Sequence, residues 1–241
     1  MRSGIFITLE GIDGTGKTTQ IRKLARYLRA IGKRVRVTRE PGGTRTGERI
    51  RAILLATSTG QLAPLTELAL MYAARAQHLD EVVRPALAHG EIVVSDRYND
   101  ASFAYQGFGR ELGIATVRAF DRVICGETQP DLTIVLDLEP GRALGRAQGR
   151  EARRRSRRGR FEAAGLKFYQ RVRAGYLSLA RGDPHRVKIV RADRSVDEIQ
   201  EEIRALVHEL LADRVGGAVW SRTKREANSK FKIPDSRRKT K

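Results

Sequence analysis

Apolar residues gather into five short β-prone runs, Ile5 to Leu9, Arg34 to Thr38, Ile92 to Ser95, Leu132 to Leu138 and Val187 to Val190, separated by longer stretches of helical periodicity. Short buried strands alternating with helices predict a parallel sheet, because each parallel crossover lays a helix on one of its faces. The helical stretches are residues 17–31, 47–56, 65–88, 114–126, 141–148, 161–180 and 195–212. In the first of them Ile21, Leu24, Ala25 and Leu28 recur on one face, with Arg22, Lys23, Arg26 and Arg29 between them. The predicted fold class is α/β, a three-layer arrangement with a central five-stranded parallel sheet flanked by helices. Binding sites on such a sheet collect at the C-terminal ends of its strands.

The pattern ends near Ala212. Beyond it come Gly216-Gly217, a lone Trp220 and a Lys/Arg/Ser-rich stretch with few apolar residues. This organisation predicts one domain over 1–212 and a basic tail over 213–241 that is disordered in isolation. The formal charge of +19 suggests nucleic acid until it is mapped along the chain: +8 lies in residues 142–160 and +7 in the tail from Val215, so the remainder carries little excess. Two segments own the basicity, and a weak nucleic-acid or polyanion contact is expected of the tail. Cys125 is the single cysteine, which rules out a disulfide scaffold and suits a reducing compartment. No apolar run approaches 18 residues and no leader precedes the first strand, so the expectation is a cytoplasmic protein without a membrane span.

Directly after the first strand stands Gly11-Ile12-Asp13-Gly14-Thr15-Gly16-Lys17-Thr18, with the spacing Gly-x4-Gly-Lys-Ser/Thr, followed by Thr19 and the first helix. A phosphate-cradling loop needs a strand to fix its start, glycines that let N–H groups turn inward, and a helix N-terminus for partial positive charge. All three are present, which points to ATP as ligand, Lys17 at the β- and γ-phosphates and the Thr18 hydroxyl on Mg²⁺. Asp96 closes the third strand, where phosphate-loop enzymes place a carboxylate near that metal. Its neighbour Arg97 offers a bidentate grip on a second phosphate, although the pair also fits a structural ion pair or a helix cap.

Three further segments admit two accounts each. Arg39-Glu40-Pro41-Gly42-Gly43-Thr44 is either a tight turn or part of the site. Met71, Tyr72 and Arg75 share a helix, where a base could stack on one and bond another, or where a core face could carry a snorkelling arginine. Tyr105-Gln106-Gly107-Phe108-Gly109-Arg110 packs aromatics and an amide into what its glycines predict to be a short loop, suited to a planar ligand or to surface decoration. The arginine-rich stretch 142–160 could close over the phosphate loop and place a guanidinium on transferring charge. No Asn-Lys-x-Asp segment appears, which disfavours a guanine-nucleotide switch.

Taken together, these motifs resemble the thymidylate kinase family over about Phe6 to Leu211. The resemblance rests on Leu9-Glu10-Gly11 through Thr19, Thr38 through Thr44, Tyr72 through Arg75, Asp96-Arg97-Tyr98, Ala104 through Arg110, Pro130 through Asp137, and Arg160-Phe161-Glu162. It implies a P-loop kinase fold, a homodimer, and Mg²⁺-dependent transfer of the γ-phosphoryl group of ATP to dTMP. It also implies residue roles: Asp13 at the deoxyribose 3′-hydroxyl, Arg97 on the dTMP phosphate with Arg39 and Arg51, Arg75 at the thymine edge, Met71 or Tyr72 against the base, Tyr105 at the sugar 2′ position and Gln106 near the base. With Gly14 and Thr15 where one branch of the family has an arginine, the chain is similar to the bacterial branch, whose closing loop supplies it. Arg150, Arg153 and Arg160 are then the catalytic candidates, beside Lys17 and Arg97. Departures from the family pattern are Met71 in place of an aromatic, Ala101 before Ser102, and Gly159 before Arg160.

Overall fold

The computed structural model describes residues 4–56, 58, 60–154 and 164–215, with the side chains of 148, 150–154 and 215 left out of the description. Five strands, β1 (Ile5–Glu10), β2 (Val35–Arg39), β3 (Ile92–Asp96), β4 (Leu132–Asp137) and β5 (Val187–Arg191), form one parallel sheet in the order β2-β3-β1-β4-β5. The five-stranded α/β architecture is as the sequence predicts. Around the sheet lie α1 (Lys17–Ala30), α2 (Arg45–Leu55), α3 (Pro64–His78), α4 (Arg84–Ala88), α5 (Asn99–Ser102), α6 (Ile114–Ile124), α7 (Pro140–Arg154), α8 (Gly165–Gly182) and α9 (Val196–Val215).

Side-chain alternation sorts the strands into two apolar layers. Ile5, Ile7 and Leu9 of β1 join Leu24 and Leu28 of α1, Ile134 and Val190 of the sheet, and Ile203 and Val207 of α9 in one buried cluster. Phe6 of β1 and Val93 of β3 face the other way, against Leu68, Tyr72, Leu79, Val83, Leu87 and Val117 of the opposite helices. Period-two strands covered on both faces account for the near-continuous apolar runs in the sequence. On β1 this alternation also puts Thr8 and Glu10 on the side of Phe6.

Register brings the chemistry together. Leu9 pairs with Asp96 and Glu10 with Val135, so the loop after β1 and the turn after β3 leave the same edge of the sheet. Helix starts behave as expected where the residues allow it: the Thr44 hydroxyl accepts from the Gly47 amide at 2.9 Å and caps α2.

Three stretches differ from the sequence expectation. The run 65–88 is not one regular helix, because a π-helical turn at Leu79–Val83 separates α3 from α4. The expected loop at Tyr105 to Arg110 is instead a π-helical segment, Phe103–Gly109, continuing α5. Its glycines serve close packing: a Cβ on Gly109 would stand 2.7 Å from the Phe168 ring of α8, and one on Gly175 of α8 would stand 2.9 Å from the Phe108 ring. Finally, α7 continues to Arg154, so the first half of the stretch expected to be a flexible closing loop is helical, in keeping with its Ala, Arg, Gln and Glu content. Residues 155–163 and 216–241 lie outside the described residues; residues 213–215, expected to begin the disordered tail, instead continue α9.

Candidate active site

The loop between β1 and α1 is built from backbone. Gly16, at φ 96°, caps α1, so Lys17 is its first helical residue and the helix N-terminus opens toward the loop. Gly14, at φ 88°, is required twice over: its conformation is left-handed, and a Cβ there would lie 2.0 Å from the Ala143 carbonyl oxygen of α7. That contact leaves no room at position 14 for the arginine carried by another branch of the resembling family. Asp13, Gly14, Gly16, Lys17, Thr18 and Thr19 line a small cavity. Of the other residues expected to hold the nucleotide, Gly11 and Ile12 turn their carbonyls to the Lys17 ammonium, each at 3.0 Å, and the buried Thr15 hydroxyl donates to the Ile12 carbonyl at 2.9 Å. Burial and the nearby Arg97 cation push Lys17 down to about 8. A cation held against carbonyls in a crowded, desolvated pocket is one that an incoming polyphosphate relieves.

Beside this cavity, and sharing Asp13 with it, lies a larger cleft. Every residue expected at the acceptor, except Tyr72, lines it: Asp13, Arg39, Arg51, Met71, Arg75, Arg97, Tyr105 and Gln106. Arg97 holds its guanidinium by four contacts, donating to Asp13 Oδ1 at 2.9 Å, to the Tyr105 hydroxyl at 3.0 Å and to the Tyr176 hydroxyl at 3.2 Å, and lying 4.8 Å over the Tyr105 ring. Arg51 donates to the Pro41 carbonyl at 2.7 Å, and burial together with Arg39 and Arg97 lowers its pKa. Three guanidinium groups that disfavour one another around a cleft form a preorganised anion site. At its far end Arg75 is almost fully buried; it donates to Glu40 at 2.7 Å, to the Ser102 hydroxyl at 3.1 Å and to the Tyr98 carbonyl at 2.9 Å. Glu40 in turn meets Nδ1 of the buried His78 at 2.8 Å; burial opposes its charge, but Arg75 and His78 hold its pKa low. The Gln106 amide donates to the fully buried Glu67 at 2.8 Å, alongside two bonds from Arg110.

Tyr72 is the displaced expectation. Next to Met71 on α3 but about 100° around the helix axis, it is buried beneath Arg75, whose guanidinium lies 4.4 Å over its ring, and it packs on Phe120. It supports Arg75 from below, and of the two candidates against the base only Met71 lines the cleft.

Among the metal candidates, the Thr18 hydroxyl stands 3.4 Å from Asp96 Oδ2. Hydroxyl and carboxylate oxygens are hard donors, and the described residues include no cluster of three His, Cys, Asp or Glu. That donor set fits Mg²⁺, which takes one or two protein oxygens and completes its shell with phosphate and water. The catalytic candidates Arg150 and Arg153 fall in the last turns of α7, where side chains are outside the description, and Arg160 is outside the described residues.

Sequence reasoning left out Glu10, His78, Tyr169 and Tyr176. The aromatic positions Phe168, Tyr169 and Tyr176 recur along one side of α8, the one available signal, but such a stripe reads as core until the Tyr169 hydroxyl is seen 3.4 Å from Asp13 and that of Tyr176 against Arg97.

A phosphate loop at the head of a parallel sheet, adjoining a cleft with a second anion site and with Leu55, Met71 and Ala101 in its lining, defines a P-loop kinase that phosphorylates a nucleoside monophosphate. The comparisons with known proteins narrow this class. The family model described as thymidylate kinase matches residues 9–203. The thymidylate kinase of Syntrophotalea carbinolica is 48% identical over 82% of this chain and 92% of its own length, and that of Pseudomonas syringae pv. tomato 47% over 87% and 97%. The crystal structure of thymidylate kinase from Ehrlichia chaffeensis superposes with a TM-score of 0.70 at 30% identity, covering 85% of this chain and 98% of that one. The chain belongs to the thymidylate kinase family, and its reaction is phosphoryl transfer from ATP to dTMP.

Proposed function

We propose that the chain makes dTDP and ADP in the supply of dTTP, with ATP in the backbone loop and dTMP in the arginine-lined cleft. One observation carries the assignment of sides: the two cavities adjoin at Asp13, and of the two only the larger has both an arginine cluster and the apolar side chains Leu55, Met71 and Ala101 in its lining. Arg97, with Arg39 and Arg51, binds the acceptor phosphate. Asp13 accepts from the sugar 3′-hydroxyl, and Tyr105 fills the space a 2′-hydroxyl would need. Met71 packs on the thymine face while Arg75 and Gln106 bond its edge.

Lys17 neutralises the β- and γ-phosphates, and arginines of the stretch 142–160, with Arg150, Arg153 and Arg160 as candidates, add charge to the transferring group. Thr18 and Asp96 would hold Mg²⁺, which would supply charge neutralisation to the phosphates. The protein's own share of catalysis is alignment of two anions and removal of their repulsion, since phosphoryl transfer asks little covalent help.

The kinase is assigned to 1–212 and the basic segment 213–241 to a weak, salt-sensitive polyanion contact; deleting 216–241 should abolish that contact and leave turnover intact. We place the protein in the cytoplasm as a homodimer. Among the described residues no helix is long and apolar enough to cross a membrane. Exposed Leu65 of α3 and Val123 of α6, the latter 81% exposed, supply an apolar face for a second copy. Purified protein with Mg-ATP tests the acceptor: ADP release should require dTMP and exceed that with dUMP, dCMP, UMP or thymidine. Equal turnover across that panel would remove the base and sugar roles assigned above.

A further inference from the structure

We propose that Glu10 is a positioning residue for the acceptor phosphate site, fixing the conformation of Arg97 through two separate contacts from beneath the cleft. The inference rests on Arg97 gripping that phosphate. Glu10 ends β1, is wholly buried, and shares the strand face of Phe6 and Thr8, so it points away from the phosphate loop's own core face. Other buried carboxylates of this protein each meet an arginine directly: Glu40 meets Arg75, Glu67 meets Arg110, Asp100 meets Arg186 and Asp131 meets Arg214. Among the described residues Glu10 has no such ion pair. A buried carboxylate without a direct cation is costly, and its retention calls for another reason.

Its two oxygens supply one. Oε1 accepts from the Tyr98 amide at 2.7 Å and Oε2 from the Tyr176 hydroxyl at 2.7 Å. Arg97, the residue before Tyr98, sits at φ 70°, a left-handed conformation that a long side chain avoids unless its surroundings impose it. Three hydrogen bonds impose it here. The Arg97 amide donates to the Leu9 carbonyl at 3.0 Å, the Ser95 hydroxyl donates to the Arg97 carbonyl at 2.7 Å, and Glu10 holds the next amide. Thus the dipeptide Leu9-Glu10 clamps the backbone on both sides of the strained residue.

The second contact reaches the guanidinium. Because the Tyr176 hydroxyl gives its proton to Glu10, a lone pair is left for Arg97 Nη1, while Asp13 and Tyr105 share Nη2. One carboxylate therefore sets both where the arginine leaves the backbone and how its planar fork is turned. A bidentate phosphate grip depends on that plane.

Steady-state kinetics on the full chain, with dTMP and ATP varied separately, test this with Glu10→Gln, Tyr176→Phe and Arg97→Lys. Tyr176→Phe removes one hydroxyl from an otherwise intact ring and breaks the guanidinium contact; if Glu10→Gln does not fold, Glu10→Asp, which draws the carboxylate back from both partners, takes its place with the same expected result. The expected result is a dTMP KM raised about fivefold or more by each of the first two, an ATP KM within about twofold, and a double variant no worse than about twofold beyond Glu10→Gln, since both act through one path. If Arg97→Lys raises the dTMP KM and the other two leave it within about twofold, Glu10 does not position Arg97 and the inference is overturned while Arg97 keeps its role. An unchanged dTMP KM in Arg97→Lys as well overturns the role of Arg97 and the inference with it. Parallel losses in dTMP KM, ATP KM and thermal midpoint would make Glu10 a fold residue only, which also overturns it.

Discussion

The donor loop and the acceptor cleft lie side by side at one sheet edge and are made in opposite ways. The loop is nine consecutive residues whose work is done by backbone amides, glycine conformations and one ammonium group. The cleft takes side chains from the loop, β2, α2, α3, the turn after β3 and the π-helical segment. Polyphosphate is the same in every ATP, so a fixed backbone cradle suffices; an acceptor must be told from its analogues, and only side chains vary enough to do that. The two halves should therefore fail differently when altered.

Lys17→Ala should make the heaviest change, lowering kcat by roughly a thousandfold, because it removes charge stabilisation from the transferring group. dTMP binding, measured by titration without ATP, should survive it. A comparable loss of dTMP affinity would mean that the halves are not separable at this residue.

This contrast also explains what could be read from the chain. A backbone-built site must be contiguous, so its glycine spacing was visible between a strand and a helix. A side-chain-built site is scattered over some ninety residues from Asp13 to Gln106, and each segment alone fitted a turn, a core helix or a surface loop as well as a site. The resemblance joined them, and the structure then separated Met71 from Tyr72, which adjacent positions on a helix could not. Glycines misled at 105–110, where composition indicates a loop but packing of the segment on α8 selects a π-helical turn. Glu10 was hidden for a simpler reason. A carboxylate at a strand end signals a metal or a cap, and nothing in sequence shows that its partners lie 88 and 166 residues away.

Glu10 sits under the join between the halves, and its titration gives a stability test. Burial outweighs the favourable Arg97 charge and, with Asp100 adding repulsion, pushes Glu10 up to about 7. In the unfolded chain it titrates near 4.3. Between those values the folded state binds the extra proton, so stability falls as pH rises through this window. Lys17, Tyr98, Tyr105 and Tyr176 also face the group, none with a charge change in that range that reverses the sign. Relative to Glu10→Gln, the wild type should lose about 3 kcal/mol between pH 4.5 and 8. Denaturant unfolding of both proteins at the two pH values checks it, and a difference independent of pH would remove the raised ionisation.

Arg97→Ala should act on the acceptor half alone. Loss of charge-assisted hydrogen bonds to a phosphate is worth about 2 kcal/mol, or roughly thirtyfold in dTMP affinity. ATP affinity, titrated separately, should move less than about threefold. Equal weakening of both ligands would place Arg97 between the nucleotides and not on one of them.

Met71→Phe should have the mildest effect and speaks to why a side-chain-built pocket tolerates drift. Met71 is half-buried, packs on the edge of the main apolar cluster and lines the cleft beside Leu55. A thioether on a flexible stem contacts a planar base well enough, while an aromatic ring adds an offset stack worth about 0.5–1.5 kcal/mol when it fits. Fit is the question, because the edge contacts proposed for Arg75 and Gln106 would leave the base one plane in which to lie. If that plane suits a ring at position 71, dTMP KM should drop by about threefold with kcat unchanged, since the gain is uniform between ground and transition states. If KM instead rises, methionine is there because this cleft is narrower than one built for stacking, and the polar edge contacts of Arg75 and Gln106 carry base recognition without it.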